Sequence, residues 1–339
     1  MKKKVSISEI ARALGVSTTT VSFVLNGKAK EKRLSEALTM RVLEYVKKVG
    51  YRPNELAKSL RTGKTKILGL VIEDISNPFF ANIARYIETK AYERGYRIIY
   101  CSTDNDLDKT LDFIQLFRDR HVDGYLITPP IGLEDTVVDL LNNDLPVVLF
   151  DRYLPLLDTD YVIVDNRQGA FDATNHLIDQ GYERIGFVNL EAGQSQMQDR
   201  RQGYIDALAT QGLNSYIKNI KIEKIDQANI LEFIEFYKQS ELDAVFFAAN
   251  HLAIIGLKAF KQFGEEIPGV VSYDDHMHFR LSTPTITVVS QPISQIAEEV
   301  INVLINNLEG KSISKQKIVL PTQLIVRESS RRQTSWIKN

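Results

Sequence analysis

The chain has 339 residues, 44% of them apolar, with 42 Lys and Arg against 43 Asp and Glu and a formal net charge of −1. That length exceeds what one hydrophobic core usually serves, so two or three domains are expected, and the apolar fraction excludes disorder as the main state. The near-zero total conceals a division: residues 1–66 carry 16 basic and 5 acidic side chains, or +11, and the remainder carries 26 and 38, or −12. The single Cys101 can make neither an internal disulfide nor a cysteine zinc site. Its neighbours Ile98, Ile99 and Tyr100 predict a buried structural thiol, in a reducing compartment. No stretch approaches the length of a membrane span, and Lys2-Lys3-Lys4 leads into polar helix signals instead of the apolar core of a signal peptide. A cytoplasmic protein is expected.

Ser6-Ile7-Ser8-Glu9 has the form of a capping box, so a helix starts there, with Ile7, Ile10, Ala11 and Leu14 on one face and Gly15 as its stop. Ser17 then caps a second helix whose inner face is Val21, Val24 and Leu25 and whose first turn offers Thr18, Thr19 and Thr20 outward, ending at Asn26-Gly27. A third helix over 35–49 carries Leu38, Val42, Tyr45, Val46 and Val49 and closes a small core before Gly50. Two short helices joined by a tight glycine turn form a helix-turn-helix. Combined with the +11 charge, that pattern points to double-stranded DNA: hydroxyls at the start of the second helix reach base edges while polar and basic groups hold phosphates. A generic helical bundle with a solvated threonine turn is the plainer alternative.

After Tyr51-Arg52-Pro53, Asn54 can cap a helix of about two turns, too short to stand alone in water, whose Leu56 and Leu60 have nothing nearby in sequence to bury them. It should order only against a partner. The series Ile10-Ala11, Gly15-Val16-Ser17-Thr18-Thr19-Thr20-Val21-Ser22, Val24-Leu25-Asn26-Gly27, Gly50-Tyr51-Arg52-Pro53-Asn54 and Leu56-Ala57-Lys58-Ser59-Leu60-Arg61 resembles the headpiece and hinge of the lactose-repressor/galactose-repressor (LacI/GalR) family. The resemblance implies that Thr18 and Thr19 face bases and that Ser17, Thr20, Ser22 and Asn26 lie near phosphates. It also implies that the hinge (Asn54, Ala57, Lys58, Leu60, Arg61) pairs with that of a dimer mate in the minor groove, where Leu60 wedges into the central step of a palindromic operator. Two departures stand out. Phe23 occupies a position where many members carry a basic reader, and the turn Lys28-Ala29-Lys30-Glu31-Lys32-Arg33 is longer and more charged than expected, either adding phosphate contacts or simply solvated.

From Ile67 onward, short apolar runs at 67–72, 97–101, 124–128, 147–150, 161–164, 185–188, 244–248 and 270–273 alternate with helical stretches, with Asn77-Pro78 and Asn250 as helix starts. Strand–helix repetition implies parallel sheets flanked by helices, and eight strands are too many for one core, so two lobes are expected. The chain should cross near Asp165-Asn166 and return through Gln291-Pro292-Ile293 and a helix over 294–308. The domain expectation is a headpiece over 1–50, a hinge over 51–64, a two-lobed α/β domain over 65–328, and a tail over 329–339. Lobe 1 should hold 65–165 and 294–320, and lobe 2 should hold 166–293 and 321–328.

Ligands of open parallel sheets bind beyond the carboxyl ends of the strands. Those ends carry Asp74, Asn77, Phe79 and Phe80, then Thr128-Pro129-Pro130, Asp151-Arg152, Asn250 and Asp274-Asp275, with Arg200 on a following helix. Carboxylates, amides and an arginine around aromatic rings suit a small polyhydroxylated ligand; for any single residue, a capping or surface role is the plainer reading. This half also resembles the family, whose effector domain is similar to periplasmic sugar-binding proteins: Ile75-Ser76-Asn77-Pro78-Phe79-Phe80, Phe150-Asp151-Arg152, Val164-Asp165-Asn166, Arg200 with Gly203-Tyr204, and Val271-Ser272-Tyr273-Asp274-Asp275 carry the likeness. It implies that Arg200, Asn250 and Asp274 hold the effector, with Phe79 and Phe80 as ring contacts. His251, replacing a frequent aspartate, and the short link Ile267-Pro268-Gly269-Val270 depart from the family.

Sharper chemistries fail on spacing. Gly63-Lys64-Thr65 lacks the glycine a phosphate-binding loop needs at residue 58, which is lysine, and Gly193-Gln194-Ser195-Gln196-Met197 lacks the second glycine of a nucleophile elbow. Asp274-Asp275-His276-Met277-His278 resembles a metal cluster with no further ligand spacing. A secreted solute-binding protein would carry a signal and no headpiece. The sequence therefore predicts a homodimeric regulator, a repressor and not an enzyme. No cofactor is expected, and the effector site (Asn77, Phe79, Phe80, Asp151, Arg152, Arg200, Asn250, Asp274) should take a sugar or sugar derivative, with a nucleoside, purine or sugar phosphate as the alternative. The tail after Arg327 has no heptads, so a dimer and not a coiled-coil tetramer is expected.

Overall fold

The computed structural model describes residues 5–51, 63–191, 193–221 and 227–332, and the chain divides into two compact units, Met1–Thr65 and Lys66–Asn339. Asn54, Ala57, Lys58, Leu60 and Arg61, and with them the expected hinge helix, lie outside the described residues.

In the first unit, α1 (Ile7–Leu14) opens with the full capping box: the Glu9 amide donates to Ser6 Oγ at 3.2 Å and the Ser6 amide to Glu9 Oε2 at 2.7 Å. Gly15 ends it at φ +65°, a conformation that a residue without Cβ adopts freely. Helix α2 (Thr18–Leu25) is capped by Ser17, and α3 (Glu36–Lys48) by Ser35. Among the described residues, Ile10, Ala11, Val21, Val24 and Val42 form the buried core, with Leu14 and Leu38 packed around it.

The second unit holds two six-stranded sheets. In the first, the strand order is β11-β5-β4-β3-β1-β2: β1 (Ile67–Ile72), β2 (Arg97–Ser102), β3 (Gly124–Ile127), β4 (Val147–Phe150), β5 (Asp160–Val164) and β11 (Lys317–Leu320), all parallel. In the second it is β12-β10-β9-β8-β6-β7: β6 (Ile185–Leu190), β7 (Tyr216–Ile220), β8 (Ala244–Phe247), β9 (Gly269–Tyr273), β10 (Thr287–Ser290) and β12 (Gln323–Ile325). Central strands are buried on both faces, which is why they read as unbroken apolar runs. The fold differs from an all-parallel expectation at β12, which pairs antiparallel with β10.

Helices α4 (Pro78–Glu93), α5 (Leu107–Asp119) and α6 (Glu134–Asn142) follow strands of the first sheet, whereas α7 (Asn166–Asp179), α8 (Ser195–Thr210), α9 (Gln227–Gln239), α10 (Asn250–Phe263) and the short α11 (Met277–Leu281) belong to the second. Helix α12 (Ile293–Leu308) leaves the second sheet and packs its Ile296, Val300, Ile301 and Leu304 into the core of the first. The chain passes between lobes after β5, after β10 and after β11. The fold runs past residue 328, because Ser329 Oγ donates to the Val270 carbonyl at 2.6 Å and Ser330 Oγ lies 2.7 Å from His176 Nε2. Cys101 is buried and its thiol is pushed up to about 12 by desolvation, which keeps it unreactive.

Candidate functional site

Two regions carry uncommitted polar chemistry. On α2, Thr18 and Thr19 are exposed and their hydroxyls make no hydrogen bond to another described residue, so both face solvent. The other residues expected to face DNA are partly engaged. Ser17 Oγ accepts from the Thr20 amide at 3.0 Å and meets Thr20 Oγ1 at 2.8 Å, and Asn26 Nδ2 donates to the Ser22 carbonyl at 2.7 Å. These bonds fix the two ends of α2. The charged turn after it is ordered: Lys28 and Leu34 amides donate to Phe23 and Ala29 carbonyls, and Lys32 Nζ stands 5.7 Å from the Phe23 ring centroid. Phe23 is therefore half-buried beneath the turn.

The second region is a narrow cleft between the carboxyl ends of the two sheets, lined from lobe 1 by Glu73, Asn77, Phe79, Phe80 and Asp151. Lobe 2 contributes Leu190, Gln194, Gln196, Met197, Arg200, Ala249, Asn250, His251 and Asp274. Seven of the eight residues singled out in the sequence line it. Arg152 does not; at 2% exposure it lies behind the wall and donates through Nη2 to Glu73 Oε2 at 2.7 Å.

Each wall is built by local rules. Asn77 N-caps α4 by accepting from the Phe79 amide at 3.0 Å, with Pro78 in the first turn, and this starts the helix so that Phe79 and Phe80 meet edge to face at 5.0 Å beside the cleft. Asn77 thus serves both as cap and as lining. Asp151 and Asp274 follow β4 and β9 with φ of +68° and +66°, a left-handed conformation that aspartate tolerates better than most residues and that turns each chain sharply at the cleft. Arg200 is placed by the residues after it. A Cβ on Gly203 would come within 2.1 Å of the Arg167 carbonyl, so glycine lets α8 press against α7. Tyr204 then ties α8 to β6 through its hydroxyl, 2.7 Å from the Ile185 carbonyl. One turn earlier, the Arg200 guanidinium is 2% exposed, lies 3.6 Å over the Tyr273 ring, and donates to Asn166 Oδ1 at 2.8 Å and the Ala248 carbonyl at 2.7 Å. Asp274 Oδ2 lies 3.8 Å from it, and Asp274 Oδ1 accepts from Gln291 Nε2 at 2.6 Å.

The expected cap at Asn250 sits one residue earlier, at Ala249, which offers no side-chain acceptor. Asn250 is the first helical residue, and its amide is released toward the cleft, 3.5 Å from Asn77 Oδ1. The other polar contacts across the cleft are equally long. Gln196 Nε2 to Asp151 Oδ2 is 3.4 Å, and Ser195 Oγ is 3.4 Å from both the amide and the carbonyl of Tyr153. Bonds within each wall run from 2.6 to 3.0 Å. The walls are firm and the bridges between them slack.

Burial raises the Asp151 carboxyl to about 6 against the pull of Arg152 and Arg200, and raises Asp274 against Arg200 and the Gln291 hydrogen bond. Burial lowers His251 despite Glu73 and Asp274 nearby, so its ring is neutral at neutral pH. Carboxylates that line a cleft are suited to accept from ligand hydroxyls. Glu73, Gln194, Gln196 and His251 were not among the expected effector-site residues, although Glu73 directly follows β1 and both glutamines precede or open the helix after β6, where the strand-end rule points. The metal-like run is engaged elsewhere: Asp275 pairs with Arg280 and Arg327, and His276 Nδ1 accepts from the His278 amide at 3.1 Å. Among the described residues, no helix is long and apolar enough to cross a membrane.

Comparison with known proteins finds two family matches, "Bacterial regulatory proteins, lacI family" over residues 6–54 and "Periplasmic binding protein-like domain" over residues 174–330. The ribose operon repressor of Halalkalibacterium halodurans is 30% identical over 96% of this chain and 97% of its own length. The transcriptional repressor PurR of Photobacterium profundum is 29% identical over 96% and 98%. A crystal structure of the lac repressor dimer bound to operator and an anti-inducer superposes with a TM-score of 0.84 at 18% identity, covering 97% of this chain and 99% of that one.

Proposed function

Because the chain belongs to the LacI family of bacterial regulatory proteins, we propose that it is a homodimeric transcriptional repressor whose headpieces read a palindromic operator and whose cleft binds a small, hydroxyl-rich effector. The headpiece spans residues 1–50, the hinge 51–64 and the effector domain begins at residue 65. Thr18 and Thr19 read bases; Ser17, Thr20, Ser22 and Asn26 hold phosphates; Asn54, Ala57, Lys58, Leu60 and Arg61 serve as a hinge in the minor groove. The protein catalyses no turnover of its ligand.

The single observation that carries the effector reading is the pair Asp151 and Asp274, each on left-handed backbone at a strand end, each half-buried, and both lining the cleft with Arg200. Backbone strain of this kind persists where surrounding structure enforces it, and it concentrates at ligand sites. Carboxylates accept from hydroxyls, Arg200 and the side-chain amides complete a hydrogen-bonding shell, and Phe79 and Phe80 cover the apolar face of a sugar ring. A ligand bridging both walls tightens the slack 3.4–3.5 Å contacts and so favours one lobe angle over another, which is the differential affinity that coupling to DNA requires. A purine or nucleoside is the second reading, favoured by the edge-to-face Phe79–Phe80 pair, whose rings offer a stacking surface.

The test is a thermal-shift screen of sugars, sugar acids, nucleosides and purines on the full chain, with hits passed to a mobility-shift assay on operator selected from random DNA. A sugar that raises the melting temperature and changes operator affinity supports the reading. Ligand binding that persists unchanged in Asp274→Asn counts against the site, and operator affinity unchanged in Leu60→Ala counts against the hinge.

A further inference from the structure

Two guanidinium groups belong to the cleft, Arg200 on its wall and Arg152 behind it, and each already has a partner. Arg200 donates to Asn166 and the Ala248 carbonyl, stacks on Tyr273 and faces Asp274. Arg152 is 2% exposed, bonds Glu73 at 2.7 Å and has Nε 3.8 Å from Asp151. Three carboxylates, those of Glu73, Asp151 and Asp274, line the same space. His251 is neutral and adds no positive charge. Glu73 is the most open member of the Arg152 cluster, with 29% of its side chain exposed against 7% for Asp151, and its carboxylate stands between Arg152 and the ligand space. Arg152 also keeps Nε and Nη1 without hydrogen-bond partners among the described residues, so a guanidinium with spare donors lies directly behind Glu73.

We propose that Glu73, held by Arg152, sets the charge class of the effector: it reserves the cleft for uncharged, hydroxyl-rich ligands and turns away those bearing phosphate or carboxylate. Hydroxyls donate to these carboxylates, whereas an anion meets them at close range in a partly desolvated space, where one like charge weakens binding by at least about tenfold. The inference rests on the sugar-sensor reading and deepens it by choosing the neutral ligand over a sugar phosphate or acid.

The experiment compares the full-length wild type, Glu73→Gln and the charge-preserving Glu73→Asp by thermal shift and titration calorimetry. The probes are ribose and ribose 5-phosphate, glucose, glucose 6-phosphate and gluconate, and inorganic phosphate against chloride at matched ionic strength. The expected result is that no phosphorylated or acid sugar stabilises the wild type beyond its neutral parent, and that Glu73→Gln alone gains a phosphate-dependent rise in melting temperature. Either a wild type that prefers a charged sugar over its neutral parent, or a Glu73→Gln response to phosphate equal to the wild type's, overturns the gate. If no sugar stabilises the wild type yet Glu73→Gln gains the phosphate response, the sugar reading fails while the gate stands.

Discussion

The headpiece and the cleft solve opposite problems with polar groups. The headpiece leaves Thr18 and Thr19 exposed and unpartnered on a helix whose ends are fixed by short local bonds, and its core is five buried side chains. The cleft buries Arg200 and Asn250, binds Arg200 to groups of its own wall and holds two aspartates on left-handed backbone. A surface reader needs groups free to reach a large, hydrated, charged partner. A sensor needs groups fixed and dry enough that a small ligand makes a difference to two rigid walls.

The difference can be tested first through salt. If the +11 segment alone meets DNA, operator affinity falls by about a thousandfold between 50 and 200 mM salt, as expected for roughly six phosphate contacts, while effector affinity is nearly unchanged. Anisotropy and calorimetric titrations across that range check both halves, and a flat operator curve breaks the assignment of the basic segment.

Next come the two cores. Ile10→Ala removes one of five buried headpiece side chains and costs about 3 kcal/mol, comparable with the whole stability of a unit this small. Operator binding should be lost while the melting transition of the effector domain stays in place. Preserved binding would show that the headpiece draws stability from elsewhere.

In the cleft the sign reverses. The folded Asp151 carboxyl titrates at about 6, above its ordinary value near 3.9, so the folded state holds more protons than the unfolded one between those pH values. Stability contributed by this group is therefore lost as pH rises from 4 to 6, and the ionised group costs up to about 3 kcal/mol above that. Asp151→Asn keeps the shape and tolerates φ +68°, so it should stabilise the unliganded protein by about 1–3 kcal/mol above pH 6, with the gain vanishing toward pH 4, and weaken the effector. A variant less stable than wild type at pH 7 would contradict the desolvation account.

Smallest is the reader itself. Thr19→Ala removes one exposed hydroxyl and should cost operator binding about 1 kcal/mol with no change in melting temperature. An unaltered sequence preference in the Thr18→Ala, Thr19→Ala double variant would remove both residues from base reading.

Legibility in the sequence followed how local each cause is. Capping boxes and glycine stops act within four residues, so α1 and α2 could be placed from spacing alone, and strands buried on both faces announce themselves as apolar runs. The edge strands β7, β11 and β12 did not, because Tyr216–Ile220, Lys317–Leu320 and Gln323–Ile325 keep one side to solvent and mix polar with apolar residues, and neither did the interior β10, whose two apolar residues stand between Thr287 and Ser290. In the cleft, strand ends and the family likeness pointed to Asp151, Arg200 and Asp274. That Arg152 lies behind the wall and Glu73 on it depends on a 2.7 Å pairing between residues 79 apart in the chain, which no local pattern encodes. Asn250 likewise looked like a cap, and only the start of α10 one residue earlier frees its amide for the cleft.

The central claim is that cleft occupancy governs the headpiece. The most direct measurement is the operator affinity of the full chain with and without a saturating ligand found by thermal shift, in wild type and Asp274→Asn. The account predicts a change of at least about fivefold in wild type and none in the variant. A ligand that stabilises the wild type through the cleft and leaves operator affinity unchanged would contradict it.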